Sequence, residues 1–174
     1  MRKLVLYIAI SVDGYIAAPG DDLAFLQKVE KEGEDYGYAE FMTEVDTVIV
    51  GRRTHEWVMQ HAPDFSHDGR ETYIITRTPR ESIGNRHFYT GDLGELIADL
   101  KAKEGKTIFC DGGADVVHQL LKHELIDEFV ISIIPVFVGN GIRLFKDGRP
   151  DGDLTLVNAK SFDTGLVQLH YRRA

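Results

Sequence analysis

Two places in this chain bring together residues that could hold phosphate. Residues 107–115 read Thr-Ile-Phe-Cys-Asp-Gly-Gly-Ala-Asp, an apolar run that stops at Gly112 and Gly113 and opens into a helical pattern with Ala114 and Asp115. Residues 48–54 repeat the arrangement: a second apolar run stops at Gly51 and continues with Arg52, Arg53 and Thr54. A helix start leaves its first N–H groups without partners and carries partial positive charge, and glycine lets the backbone turn sharply and approach an anion closely. A single junction of this kind reads equally well as a tight turn. Two of them suggest a ligand with separated phosphates, such as a dinucleotide. Arg52 and Arg53 strengthen the suggestion, because cations at a helix start oppose the helix dipole unless an anion compensates them. Arg77 directly follows a strand ending at Thr76, and its guanidinium fork suits a phosphate monoester better than a ribose hydroxyl. The expected cofactor is therefore NADPH rather than NADH. The three spaced glycines of an ordinary Rossmann fingerprint are absent.

Other residues carry two readings each. Asp21 and Asp22 precede Leu-Ala-Phe-Leu, where acidic residues usually cap a helix. Asp22 could instead handle the proton that accompanies hydride addition to a C=N bond. Asp115 has the same ambiguity. Residues 11–17 hold an Asp13-Gly14 pair, which signals a hairpin turn or, alternatively, a mobile loop that closes over a reactive centre. The seven histidines form no recognisable metal site: His118 and His123 are five apart, and no HExxH or CxxC occurs. No GxSxG elbow is present. Cys110, in an apolar run, reads as a small core residue, and Trp57 as packing.

The elements that must position these residues are legible from pattern. Residues 4–10, 47–50, 72–76, 108–110 and 129–134 are apolar, often β-branched and without alternation, as expected of parallel strands covered on both faces. Tyr38, Phe41, Met42 and Val45 fall on one helical stripe, as do Leu93, Leu96, Ile97 and Leu100. Asp92 with Glu95 suits a helix start and Gly105 a stop. A third helix is expected from about Ala114 to His123, with Val117, Leu120 and Leu121 inward. Residues 154–162 and 166–172, with a glycine between them, read as an antiparallel hairpin. The fold class is thus α/β, with a mainly parallel central sheet flanked by helices and an antiparallel C-terminal hairpin. In such sheets ligands gather beyond the carboxyl ends of the strands, so residues 11–18, 51–54, 76–78 and 111–115 should share one rim.

Composition limits the partners. With 20 Lys and Arg against 28 Asp and Glu, the net charge is −8, which argues against nucleic acid. The single cysteine allows no internal disulfide, and no apolar run is long enough for a bilayer. The expectation is a cytoplasmic protein with one domain over residues 1–174, since no linker, repeat or low-complexity stretch divides it.

In the order of these motifs the chain resembles the dihydrofolate reductase-like superfamily. Within it the chain is most similar to the reductase domain of the bifunctional riboflavin biosynthesis deaminase/reductase and its stand-alone relatives. The markers are residues 11–17, Cys110-Asp111-Gly112-Gly113, and the run from Pro135 through Val-Phe-Val-Gly-Asn-Gly-Ile-Arg-Leu to Phe145. The resemblance implies NADPH lying along the rim. Gly51, Arg52, Arg53, Thr54, Thr76 and Arg77 would be on the adenosine phosphate side. Gly112, Gly113, Ala114 and Asp115 would face the pyrophosphate, with Ala9 and Ile16 near the nicotinamide. It also places Asp22 where dihydrofolate reductases keep their substrate-binding acid, with Asp13 in reserve. The Trp-Asn-Leu-Pro-like stretch of the folate enzymes is replaced by Ala17-Ala18-Pro19-Gly20.

Three functions follow as expectations. The first is an NADPH-dependent reductase acting on a small pyrimidine or pteridine-like substrate, with 5-amino-6-(5-phosphoribosylamino)uracil reduction in riboflavin biosynthesis the specific case. The alternatives are a non-catalytic NADP-binding regulatory module and a dihydrofolate reductase. The resemblance further implies a homodimer, through residues 129–138 and the terminal hairpin.

Overall fold

The computed structural model describes residues 1–174. Its centre is an eight-stranded sheet. The strands are β1 (Leu4–Ser11), β3 (Val45–Gly51), β4 (Glu71–Ile75), β5 (Arg86–Tyr89), β6 (Thr107–Gly112), β7 (Glu128–Ile134), β9 (Leu154–Ser161) and β10 (Val167–Arg173), in the spatial order β5-β4-β3-β6-β1-β7-β10-β9. From β5 to β7 all pairs are parallel, and β10 runs antiparallel to both β7 and β9. This is the expected sheet, with the hairpin extending it at the β7 edge.

Both faces are covered, which explains the unbroken apolar runs. On one face α3 (Leu93–Ala102) and α4 (Ala114–Lys122) close over Leu4, Leu6, Ile49, Ile108 and Cys110. On the other, α1 (Tyr38–Thr43) and its neighbours pack on Val48, Val50, Ile74 and Phe109. Strand β3 shows the logic, since Ile49 serves one cluster while Val48 and Val50 serve the other. α3 begins as its sequence indicates, with the Asp92 carboxylate accepting from the Glu95 N–H at 2.9 Å. α2 (Arg52–His61) follows β3 directly.

Three details differ from the sequence expectation. α1 is shorter than its stripe: Val45 already opens β3, because the chain turns there to pair with β6, with the Thr107 N–H on the Glu44 carbonyl at 2.9 Å. Strand β5 was not expected; its residues, Arg-His-Phe-Tyr, lack β-branching, and it holds an edge by pairing on one side only. The run 129–134 is an interior strand with β1 and β10 paired along its two edges. The exposed edge is β9, all eight of whose residues face solvent. No helix is long and apolar enough to cross a membrane.

Arg2 ties the lower ends of three strands together. Its Nε donates to the Lys106 carbonyl and its guanidinium to Thr47 Oγ1, each at 2.7 Å, and it also pairs with Asp46.

Candidate active site

The site forms where β3 and β6 end side by side, with Val50 paired to Gly112. A methyl group built on Gly51 would lie 3.4 Å from the Gly113 nitrogen and 3.3 Å from Val116, so the two glycine junctions are in contact. One built on Gly113 would sit 3.1 Å from the Thr54 hydroxyl and 3.9 Å from Ile16, and one on Gly112 would be 3.4 Å from Ile8. Ile16, Thr54 and the glycine pair therefore surround one small space, which only a bare backbone leaves open. Gly112 has φ +94, a left-handed conformation that glycine adopts at little cost.

The helices that leave this point start without side-chain caps. α2 has Gly51 and α4 has Gly113 at the cap position, and neither has a side chain bonded to the first-turn amides. α3, away from the rim, is capped by Asp92. Uncapped N–H groups seek an acceptor, and anionic oxygens answer both that need and the helix dipole. This is the cradle that a pyrophosphate requires, and the residues present fit NADPH.

Charge at the rim is arranged around Asp115, in the first turn of α4. Lys146, bonded to Asp115, holds its carboxyl below the ordinary value; partial burial opposes this, and Arg53 and Arg77 add to the lowering. Three cations thus surround the start of α4. Lys146 was missed from the sequence; it stands one residue beyond the run that ends at Phe145. Arg53 also grips Asp21 with both carboxylate oxygens, at 2.7 and 2.9 Å. Arg52 turns the other way. Its Nη1 meets Glu56 at 2.7 Å, Arg80 approaches the same carboxylate at 3.9 Å, and Arg80 lies over the Phe88 ring. Together with His55 these residues line a cleft of ≈ 340 Å³ between α2 and β5. Thr76 Oγ1 accepts from the Thr78 N–H at 3.1 Å, shaping the turn that carries the exposed Arg77. Ala114 is buried at the head of α4, while Ala9 faces the cluster around Phe25 and Tyr36.

Residues 11–17 form a turn that leads into a short strand. The Gly14 N–H bonds the Ser11 carbonyl, and β2 (Tyr15–Ala17) pairs with β8 (Ile142–Arg143). Asp13 clamps the strap that bears β8, accepting from Ser11 Oγ at 2.5 Å, the Val138 N–H at 3.1 Å and the Gly139 N–H at 2.8 Å. Desolvation works against the charge, but these donors outweigh it and hold the carboxyl below its usual range. A carboxylate so held stays ionised and donates no proton at neutral pH. Gly141 allows the strap to cross β2: with φ +131, its added methyl would meet the Ala17 carbonyl.

A second, larger cleft of ≈ 730 Å³ opens between α2 and the segment that runs from Gly20 through the 3₁₀ turn Ala24–Val29. Asp22 is exposed on its wall. One oxygen accepts from the Ala24 N–H at 2.8 Å, a local turn just before a 3₁₀ segment that has no side-chain cap, and the other makes no hydrogen bond within the chain. Facing it are Trp57 and His61, stacked at 4.7 Å with an 18° interplanar angle. Trp57 is thus cleft wall rather than buried packing. Beside Tyr38 and Phe109, Asp111 accepts a hydrogen bond from His67 Nε2 at 2.8 Å, and its charge, after burial, helps push the Tyr38 hydroxyl up. Burial pushes the Cys110 thiol up to about 12, so it is the inert core residue its sequence suggested. No group of side chains that could hold a metal occurs.

A family model described as the RibD C-terminal domain matches residues 2–168. The chain belongs to the RibD C-terminal domain family. It is 41% identical over 175 residues to the uncharacterized protein YwjB of Bacillus subtilis strain 168, covering 99% of both chains. Protein YyaP of the same strain, also uncharacterized, is 28% identical over 181 residues, or 98% of this chain and 94% of the relative. Among solved structures, a Shewanella sp. PV-4 protein named for riboflavin biosynthesis shares 28% identity at a TM-score of 0.90 over 99% of both chains. The diaminohydroxyphosphoribosylaminopyrimidine deaminase/5-amino-6-(5-phosphoribosylamino)uracil reductase of Thermotoga maritima matches at 0.74 with 15% identity, over 99% of this chain and 57% of its own. That last likeness concerns the fold. The RibD-family sheet is the dihydrofolate reductase-like architecture that the motifs implied, and the family is one of reductase-like proteins.

Proposed function

We propose that this chain is an NADPH-dependent reductase acting on a small pyrimidine or pteridine-like ring. The observation that supports it most is the contact between Gly51 and Gly113, which sets two uncapped helix starts and the Thr54 hydroxyl around one space. When bound, NADPH supplies the hydride. The α4 amides face its pyrophosphate, with Arg53 and Lys146 held at the rim by Asp21 and Asp115, and Arg77, which has no ion pair, meets the 2′-phosphate on the adenosine side beside Arg52 and Arg80. Ile16 shapes the nicotinamide end, while Ala9 packs toward Phe25 and Tyr36. In the adjoining cleft, hydride addition to the carbon of a C=N bond leaves the nitrogen needing one proton, and Asp22, whose second oxygen is uncommitted, passes it from water. Asp13 keeps the strap in place. Orientation supplies the rest of the catalysis.

The test is calorimetric titration with NADPH and NADH, followed by NADPH oxidation against a panel of aminopyrimidine, pterin and dihydrofolate acceptors. Heat with NADPH and turnover of one acceptor support the reading; no heat with either coenzyme sinks it. One observation favours the non-catalytic module, namely that one Asp22 oxygen is already engaged by the Ala24 N–H. Cofactor binding without turnover of any acceptor would establish that module, and turnover of dihydrofolate alone would establish a folate enzyme. For a homodimer, we propose β9 as the contact, with mass in solution by light scattering as its check.

A further inference from the structure

The cleft beside the rim discriminates by charge, and we infer that its substrate is a planar, amine-bearing heterocycle without a phosphate group. This rests on the reductase reading and narrows it. The cleft of ≈ 730 Å³ is large enough for a bicyclic ring or a riboside. Its charged lining is Asp21, Asp22 and Glu30, and no lysine or arginine lines it. Asp21 is neutralised by Arg53, whereas Asp22 and Glu30 form no ion pair. The cations that could have served a substrate phosphate are engaged elsewhere: Lys31 with Asp163, Lys146 with Asp115, and Arg53 with Asp21.

A phosphate dianion placed among these carboxylates would meet repulsion at close range and no donor of matching charge. Ionised carboxylates are acceptors only, so ligand groups that meet them must donate, and amines, which can also carry positive charge, answer them best. His61 is set in the same sense. Its Nδ1 lies 3.0 Å from the Trp57 carbonyl, which can only accept, so in the neutral ring the other nitrogen is an acceptor. The stacked Trp57 and His61 rings give a flat wall for a heterocycle. Carboxylates around the edge, the Gln27 and Gln60 amides that both donate and accept, and an aromatic face describe a site for amino-substituted rings, neutral or cationic. The phosphoribosyl substrate named for the Thermotoga maritima relative carries the group that this cleft repels.

The probe is a matched pair, an aminopyrimidine riboside and its 5′-phosphate, titrated by calorimetry into the full chain with and without saturating NADP+. The riboside is expected to bind at least about ten-fold more tightly, a difference of ~1.4 kcal/mol. The gap should narrow as salt rises, because exposed charges are screened. Glu30→Lys, an exposed change, should narrow it further by favouring the phosphate, while Trp57→Ala weakens both compounds. Equal or tighter binding of the phosphate overturns the inference. So does the absence of binding by either compound, or a gap that neither salt nor Glu30→Lys alters. NADP+ heat in the same experiment is read separately: its absence overturns the reductase reading, whatever the matched pair shows.

Discussion

Helix α2 separates two surfaces of opposite character. At its N-terminal end the rim is bare backbone and cations: Gly51, Gly112, Gly113, Arg53, Arg77 and Lys146. Along its other flank the cleft is carboxylates and rings, with Asp22 and Glu30 opposite Trp57 and His61. Under the proposed function, the difference teaches how one fold would hold an anionic coenzyme and still refuse an anionic substrate a few residues away. Helix starts and arginines attract phosphate, while unpaired carboxylates repel it and invite amines. The two surfaces meet at the Arg53–Asp21 pair, where one residue of each kind cancels the other.

The largest expected effect lies on the cleft side. Asp22→Asn should lower kcat by about 1,000-fold, within the range for a lost general acid, with NADPH affinity unchanged by calorimetry. An unchanged kcat would leave Asp22 only its bond to Ala24. Next comes the rim: Gly113→Val puts a branched side chain against the Thr54 hydroxyl and should weaken NADPH by on the order of 100-fold, ~2.7 kcal/mol, while riboside binding without cofactor persists. Loss of both together would mean that the two surfaces are not separable. Arg77→Ala should cost NADPH about ten-fold, one charge-assisted contact, and leave NADH nearly unaffected. Equal weakening of both coenzymes would remove the 2′-phosphate assignment.

The smallest effect concerns the strap that Asp13 holds. Its folded carboxyl lies below the ordinary 3.8 because bonds from Ser11, Val138 and Gly139 outweigh desolvation. A depressed carboxyl stabilises the fold above its unfolded value and loses that contribution as pH falls through the folded one. The difference in Tm between the parent and Asp13→Asn should therefore be constant above about pH 4 and shrink below it. A difference independent of pH down to strongly acid solution would show that the clamp does not depend on charge.

The rim was readable because its parts are local. Each junction is an apolar strand, a glycine and a helix start within about nine residues, and parallel pairing of β3 with β6 brings the two together. The α3 cap was readable for the same reason, since Asp92 and Glu95 are neighbours in one turn. Lys146 was not, because it reaches Asp115 from 31 residues away through a strap whose path depends on Asp13 and Gly141. Arg52 was grouped with Arg53 by adjacency, yet consecutive helix residues point about 100° apart, and Arg52 faces Glu56 and Arg80. The short α1 stripe misled in another way: Val45 keeps the helical spacing but is claimed by β3, whose pairing outweighs one more helical turn.

The amino-acid sequence alone determined the layered α/β sheet and its two strand–glycine–helix junctions, since unbroken apolar runs and glycine stops act over a few residues. The acidity of the cleft was decided only by tertiary structure. Asp22 and Glu30 belong to one segment, and Trp57 and His61 to a helix some thirty residues on; each reads alone as an ordinary cap, surface charge or packing residue. They become a site because packing sets them across one opening, where charges and rings act together over distances that spacing along the chain does not encode.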